Sequence, residues 1–116
     1  MLVERNEIKN DCDEVQYIES VFNSGNILKT TYFPLYNRLY IAFKRGHTYS
    51  YGNVTPDVYE KFENSESQGK FFHIEIAKNP DLYPYRKEFT LYPSEINEIN
   101  NIIVNKTKDD TDTDEQ

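Results

Sequence analysis

The sequence predicts an α+β domain. An antiparallel meander of three strands, extended to four or five by flanking segments, has two short helices packed on one face and a further helix at the C-terminus. Three observations carry this expectation. Leu39, Ile41 and Phe43 alternate with Tyr40, Ala42 and Lys44, the period of a strand with one apolar face. Arg45-Gly46 then supplies a turn in which Gly46 is free to take positive φ, and Tyr49 and Tyr51 share one face of the returning strand. Thr55-Pro56-Asp57 marks a helix start, with a capping residue, a proline at the first helical position and an acid in the first turn.

Taken in order, residues 1–20 form a polar, acidic arm, whose first 14 residues are expected to be poorly ordered because Ile8 stands isolated among polar neighbours. Val15–Phe22 fits a broken alternation and a helical stripe alike. Its β-branched and aromatic residues favour a strand. Asn23-Ser24-Gly25-Asn26 is turn chemistry, Ile27–Phe33 is rich in threonine and aromatics and reads as a strand, and Pro34 ends it. After the Arg38–Arg45 and His47–Gly52 strands, Val58, Tyr59 and Phe62 give the first helix its apolar stripe, and Asn64 closes it. Ser67 caps a second helix. Its adjacent Phe71 and Phe72 cannot face one way, so one is expected on the sheet and the other on the first helix. Tyr85–Tyr92 is a candidate edge strand that Lys87 and Glu88 would guard against further pairing. Pro93-Ser94 opens the last helix, with Ile96, Ile99, Ile102 and Ile103 on it up to about Val104. The domain is thus read as residues 21–78, with a C-terminal extension over 79–105 and a low-complexity acidic tail over 106–116, expected to be disordered and dispensable for folding.

Composition narrows the function. The 116 residues include ten Tyr and seven Phe, enough aromatic area for one modest core despite a hydrophobic fraction of 37%. No apolar run is long enough to span a bilayer and the start has no secretory h-region, so a soluble, cytoplasmic protein is expected. The lone Cys12 excludes an intramolecular disulfide, and its acidic neighbours argue against a reactive thiolate. The net charge of −7 divides into −4 over residues 1–20, +2 over 21–92 and −5 over 93–116, so the acid sits at the ends. The basic middle leaves a nucleic-acid partner open, whereas acidic ends suit a protein partner or simple solubility.

Metal sites need clustered ligands, and this chain has one Cys and two widely separated His, His47 and His73, so no metal or cofactor is expected. Ser67-Gln68-Gly69-Lys70 lacks the first glycine and the following Ser or Thr of a phosphate loop. No nucleophile has a recognisable base beside it, so no enzyme is expected. The positive feature is aromatic and basic residues interleaved on a sheet, which is how single strands are held. Arg38, Tyr40 and Lys44 share one face of a strand, with Arg45 in the turn beyond it. Tyr49 and Tyr51 stand between two roles, core-edge residues or stacking surface, with Tyr51 expected deeper than Tyr49. Lys70, at a helix start, could meet a phosphate with its charge and with free backbone N–H groups.

Ser24, Asn26-Ile27, Leu39-x-Ile41-x-Phe43-x-x-Gly46, Tyr49-Ser50-Tyr51, Val54-x-Pro56-x-x-Tyr59 and Ser67-x-Gly69-Lys70-Phe71-Phe72-x-x-Ile76 occur in an ordered series over roughly residues 22–77. Together they resemble the KTSC domain, although Ile76 falls one residue later than that pattern has it and Ile74 one earlier. The family comprises small free-standing bacterial and phage proteins and also occurs at the C-terminus of some lysyl-tRNA synthetases. The resemblance implies a Tyr-x-Tyr hallmark at Tyr49 and Tyr51. It also implies an RNA-binding role, proposed for the family from the synthetase context while its function stays unestablished. The expectation is therefore a non-catalytic binding module for nucleic acid or a nucleotide, through Arg38, Tyr40, Lys44, Arg45, Tyr49, Tyr51 and Lys70. The alternative is a small phage or mobile-element protein that binds and modulates a host protein complex, with a homodimer as one form it could take.

Overall fold

The computed structural model describes residues 1–115, with side chains as far as Lys106; the last helix, expected to end near Val104, continues to Glu115 through the segment expected to be disordered. Strands β1 (Leu2–Lys9), β2 (Val15–Phe22), β3 (Ile27–Phe33), β4 (Arg38–Phe43) and β5 (His47–Tyr51) come first, then helices α1 (Pro56–Glu63) and α2 (Gln68–Phe71). A π-helical segment (Phe72–Ala77) continues α2, and β6 (Tyr85–Thr90) and α3 (Pro93–Glu115) complete the chain. The six strands make one antiparallel sheet in sequence order.

The sheet has six strands rather than three to five because the N-terminal segment expected to be loose is an edge strand. β1 pairs with β2 from Leu2 opposite Phe22 to Lys9 opposite Val15. Its ordering comes largely from backbone pairing, since none of its side chains is fully buried and half of them are exposed. Three side chains do anchor it. Leu2 packs on the core of one sheet face, Val3 on that of the other, and Arg5 Nε donates to Glu63 Oε1 on α1 at 2.8 Å. In the turn, the Asn10 side-chain oxygen accepts from the N–H groups of Cys12 and Glu14, and Asp13 takes φ 65°, a conformation short polar side chains tolerate.

Each face of the sheet is closed differently. On one, Ile18, Phe22, Ile27, Tyr32, Leu39, Ile41 and Tyr51 meet Tyr59 and Phe62 of α1 and Phe72 and Ile76 of the π-helical segment. Tyr32 stacks on Tyr59 with ring centroids 4.3 Å apart and donates its hydroxyl to the Val54 carbonyl at 2.7 Å. As expected of the paired phenylalanines, Phe72 faces the sheet at Phe43 and Tyr51 while Phe71 meets Phe62 of α1. The π-helical turn buries Phe72 and Ile76 and leaves Ile74 exposed. Thr55 occupies the N-cap of α1 in extended conformation without a side-chain cap, whereas the Ser67 hydroxyl does cap α2, accepting from Lys70 N at 3.2 Å. On the opposite face, Val21, Leu28 and Ala42 are roofed by Leu91 and by Ile96, Ile99, Ile102 and Ile103 of α3.

A polar network threads the first core. The Tyr59 hydroxyl lies 3.0 Å from Ser20 Oγ and 3.1 Å from Thr30 Oγ1, and Ser20 donates to Glu63 Oε2 at 2.9 Å. Burial pushes the Tyr32 phenol up to about 12 and raises those of Tyr51 and Tyr59 as well, so these hydroxyls stay protonated where exposed tyrosines ionise. Tyr59→Phe keeps the stacking but strips Thr30 Oγ1 of its partner in the core, so chemical denaturation is expected to show a loss of about 1–3 kcal/mol. Adding Thr30→Val removes the stranded hydroxyl, and the double variant is expected to be more stable than Tyr59→Phe alone. Equal or lower stability of the double variant would mean that the network does not set the cost.

Candidate nucleic-acid interface

The seven residues singled out from sequence fall in four places. Lys44, Arg45 and Tyr49 come together in a recess of about 670 Å³ at the turn end of the β4–β5 hairpin, shared with Gly25, Asn26, Phe43, His47 and Lys87. Local backbone chemistry builds it. Gly46, at φ 96°, turns the chain with its N–H donated to the Phe43 carbonyl at 2.8 Å. Lys44 N donates to the Asn26 carbonyl at 2.9 Å and holds the β2–β3 turn beside the hairpin tip. Tyr49 is half-buried, edge-on to Phe43 with ring centroids 6.3 Å apart and 6.2 Å from Tyr85 on β6.

Lys87 completes the site, and sequence reasoning took it only as an edge guard. The register of β5 on β6 sets it opposite Tyr49, on the same side of the sheet. Knowing that β6 pairs with β5 would have been enough to find it. No Asp or Glu lines the recess, and none of Lys44, Arg45 and Lys87 makes an ion pair within 4.0 Å among the described residues. The recess therefore gathers three cations without an ion-pair partner in a chain that is acidic as a whole.

Arg38 and Tyr40 lie on the other face of the sheet. Arg38 Nη1 donates to Ser50 Oγ at 2.9 Å, Ser50 donates to Glu88 Oε1 at 2.9 Å, and Arg86 Nε meets the same oxygen at 2.6 Å. The Arg86 guanidinium, with the Ser50 hydroxyl, holds the Glu88 carboxyl below the usual carboxylate range. Tyr40 is edge-on to Phe33, which in turn contacts Tyr17, so an aromatic row continues across three strands. The expected continuous platform from Arg38 to Lys44 does not form. Ala42, between them, is buried with Leu91 and Ile103, and Lys44, just past the end of β4, lines the recess instead.

Tyr51 is 6% exposed, packed against Phe72 and opposite Leu39, and so is removed from any ligand surface. Lys70 lines a separate shallow recess with Glu66 and Glu75 nearby, and its backbone N–H, expected to be free for a phosphate, is taken by the Ser67 cap. His47 is exposed at the start of β5, and His73 is exposed on the π-helical segment. Among the described residues, no three His, Cys, Asp or Glu side chains gather where they could hold a metal ion, and no helix is long and apolar enough to cross a membrane.

Residues 23–79 match the family model of the KTSC domain. Among solved structures, the crystal structure of a KTSC domain protein from Yersinia pestis is similar to this chain at 28% sequence identity and a TM-score of 0.56, covering 61% of this chain and 96% of that one. No curated protein matches the sequence. The matched segment holds β3 to β5, α1, α2 and the π-helical turn, so β1, β2, β6 and α3 lie outside it, and so does Lys87.

The two hallmark tyrosines are expected to separate in a urea titration. Tyr51→Ala empties a place in the core between Phe72 and the sheet and is expected to cost about 3–5 kcal/mol. Tyr49→Ala, at the half-buried rim, is expected to cost clearly less. A Tyr51→Ala protein as stable as its parent would contradict the burial argument.

Proposed function

The chain carries a KTSC domain over residues 23–79, and on that premise we propose that it is a non-catalytic binding module for nucleic acid or a nucleotide, acting through the recess at the hairpin tip. The carrying observation is the lining of that recess: Lys44, Arg45, His47 and Lys87 with no acid among them, set against the edges of Phe43 and Tyr49. Phosphates are attracted by clustered cations that have no internal partner, and a base can stack on a half-exposed aromatic for about 1–3 kcal/mol. The exposed Tyr85, next to Tyr49, offers a second ring to an adjacent base. Asn26, on the β2–β3 turn, adds a side chain able both to donate and to accept hydrogen bonds.

A second reading is favoured by a different observation. Leu82, Tyr85, Phe89 and Tyr92 each expose more than half of their surface along and around β6, whose outer edge is unpaired. Exposed aromatics serve as anchors for a protein partner as readily as for bases. This is what a small phage or mobile-element protein that modulates a host complex, or a homodimer, would present.

Titration of labelled single-stranded RNA, single-stranded DNA and a free nucleotide by fluorescence anisotropy, across a salt series, separates the two. Lys44→Ala and Lys87→Ala are each expected to weaken binding of the strands and to reduce the salt slope by about 0.7–0.9. Tyr49→Ala is expected to weaken binding by about 1–3 kcal/mol, and Tyr40→Ala, on the far face, to leave it unchanged. Unaltered binding in both lysine variants would remove the recess as the site, and absence of binding by the parent would turn the reading to a protein partner.

A further inference from the structure

The recess at the hairpin tip is basic inside and acidic around. Lys44, Arg45 and Lys87 line it, and no acid does. A side chain on Gly69 of α2 would meet Asn26 Cβ at 3.7 Å and Ser24 Oγ at 3.8 Å, so α2 stands against the β2–β3 turn that forms one wall. The shallow recess on α2 carries Glu66 and Glu75 against a single lysine, Lys70. A side chain on Gly46 would meet Ile96 Cδ1 at 3.0 Å, so the first turn of α3, with Glu95, backs the hairpin tip. The volume of about 670 Å³ falls within the range of small-molecule sites.

This arrangement selects by charge density. A phosphate inside a strand carries a single charge, whereas a terminal phosphate carries about −1.5 to −2 near pH 7, and a terminal diphosphate carries more. Three cations without an ion-pair partner among the described residues exceed what one internal link can neutralise, and they suit a terminal group. At physiological salt, exposed charges more than about 8 Å apart are largely screened. A compact anion in the recess is therefore held by its cations and feels little of the chain's −7. A long strand leaving the recess brings further phosphates towards Glu66 and Glu75 or towards Glu95, where like charge opposes them. Beside the cations, half-buried Tyr49 and exposed Tyr85 stand with ring centroids 6.2 Å apart, a surface for one base.

We infer that the recess receives the terminal phosphate of a nucleotide, with the phosphate among Lys44, Arg45 and Lys87 and the attached base on Tyr49 and Tyr85. The inference rests on the proposed function and narrows it: the recognised group is a phosphate monoester or diphosphate next to a base. A free nucleotide and the phosphorylated end of a single strand both supply that group, and the internal links of a strand do not. Lys87 and Tyr85 lie outside the segment matched by the family model, so the third cation and the second ring come from this chain's own extension.

The test is a competition on the full chain against a labelled short RNA with a terminal phosphate, read by fluorescence anisotropy at about 0.15 M salt. The competitors are the same RNA with a phosphate at one end, at the other end or at neither, together with adenosine, AMP and ADP. A phosphorylated end is expected to compete about tenfold better than the form with two hydroxyl ends. AMP and ADP are expected to displace the probe where adenosine does not. A phosphorylated strand that outcompetes AMP would mark the strand end as the source of the group, and parity between them the free nucleotide. Lys44→Gln and the fully exposed Lys87→Gln, with the melting temperature unchanged, are each expected to cut the preference to about threefold or less. Equal competition by phosphorylated and hydroxyl-ended strands, with both lysine variants still weakening them, would overturn the inference and leave the recess as a nucleic-acid site. Failure of every strand and nucleotide to bind would overturn the proposed function along with it.

Discussion

One buried hydroxyl fixes how α1 sits on the sheet. The Tyr59 O–H sits between Ser20 of β2 and Thr30 of β3, so α1 can dock only where both strands are present and in register. Its ring stacks on Tyr32, two residues along β3 from Thr30, so the apolar and polar contacts select the same placement. Ser20 passes the constraint to Glu63, and Glu63 to Arg5 of β1, so the outermost strand is tied to the helix on which the core closes. A buried carboxylate is tolerated there because hydrogen bonds reach both of its oxygens. Phe72 and Ile76 then complete the same core from the π-helical turn.

Closing that face, and roofing the other with α3, leaves the rim of the sheet for ligands. The recess is assembled from three separate pieces: the β2–β3 turn, the β4–β5 turn and β6. Hydrogen-bonded turns fix the first two, and the β5–β6 ladder fixes the third. The chain's −7 net charge is therefore a poor guide to its chemistry, because the charge at short range is set by which side chains the turns bring together. Arg38 and Arg86, which are equally basic in the sequence, are partly neutralised by Glu88, whereas Lys44, Arg45 and Lys87 are not.

Much of the central fold could be read in the sequence because local chemistry and burial agree there. The alternation of Leu39, Ile41 and Phe43, the Gly46 turn, the start of α1 at Pro56 and the opposed Phe71 and Phe72 all stand as their local chemistry implies. β1 was not legible because an edge strand held by its backbone needs no apolar face. The continuous Arg38–Lys44 platform failed for a different reason. Periodicity assigns Ala42 to a face but does not say what covers that face, and the cover, α3, is distant in sequence. The sequence left Tyr51 between core and ligand surface, and its pairing opposite Leu39 decides for the core, whereas the role of Lys87 required the pairing of β6, a tertiary fact.

Chemical-shift mapping with an unlabelled single-stranded oligonucleotide on ¹⁵N-labelled protein tests the central claim, that the rim recess and not the sheet face is the binding surface, most directly. The account predicts the largest perturbations at Asn26, Lys44, Arg45, His47, Tyr49 and Lys87, fading as salt is raised. Perturbations centred on Tyr17, Phe33, Tyr40 and Arg86, or none anywhere at low salt, would contradict it.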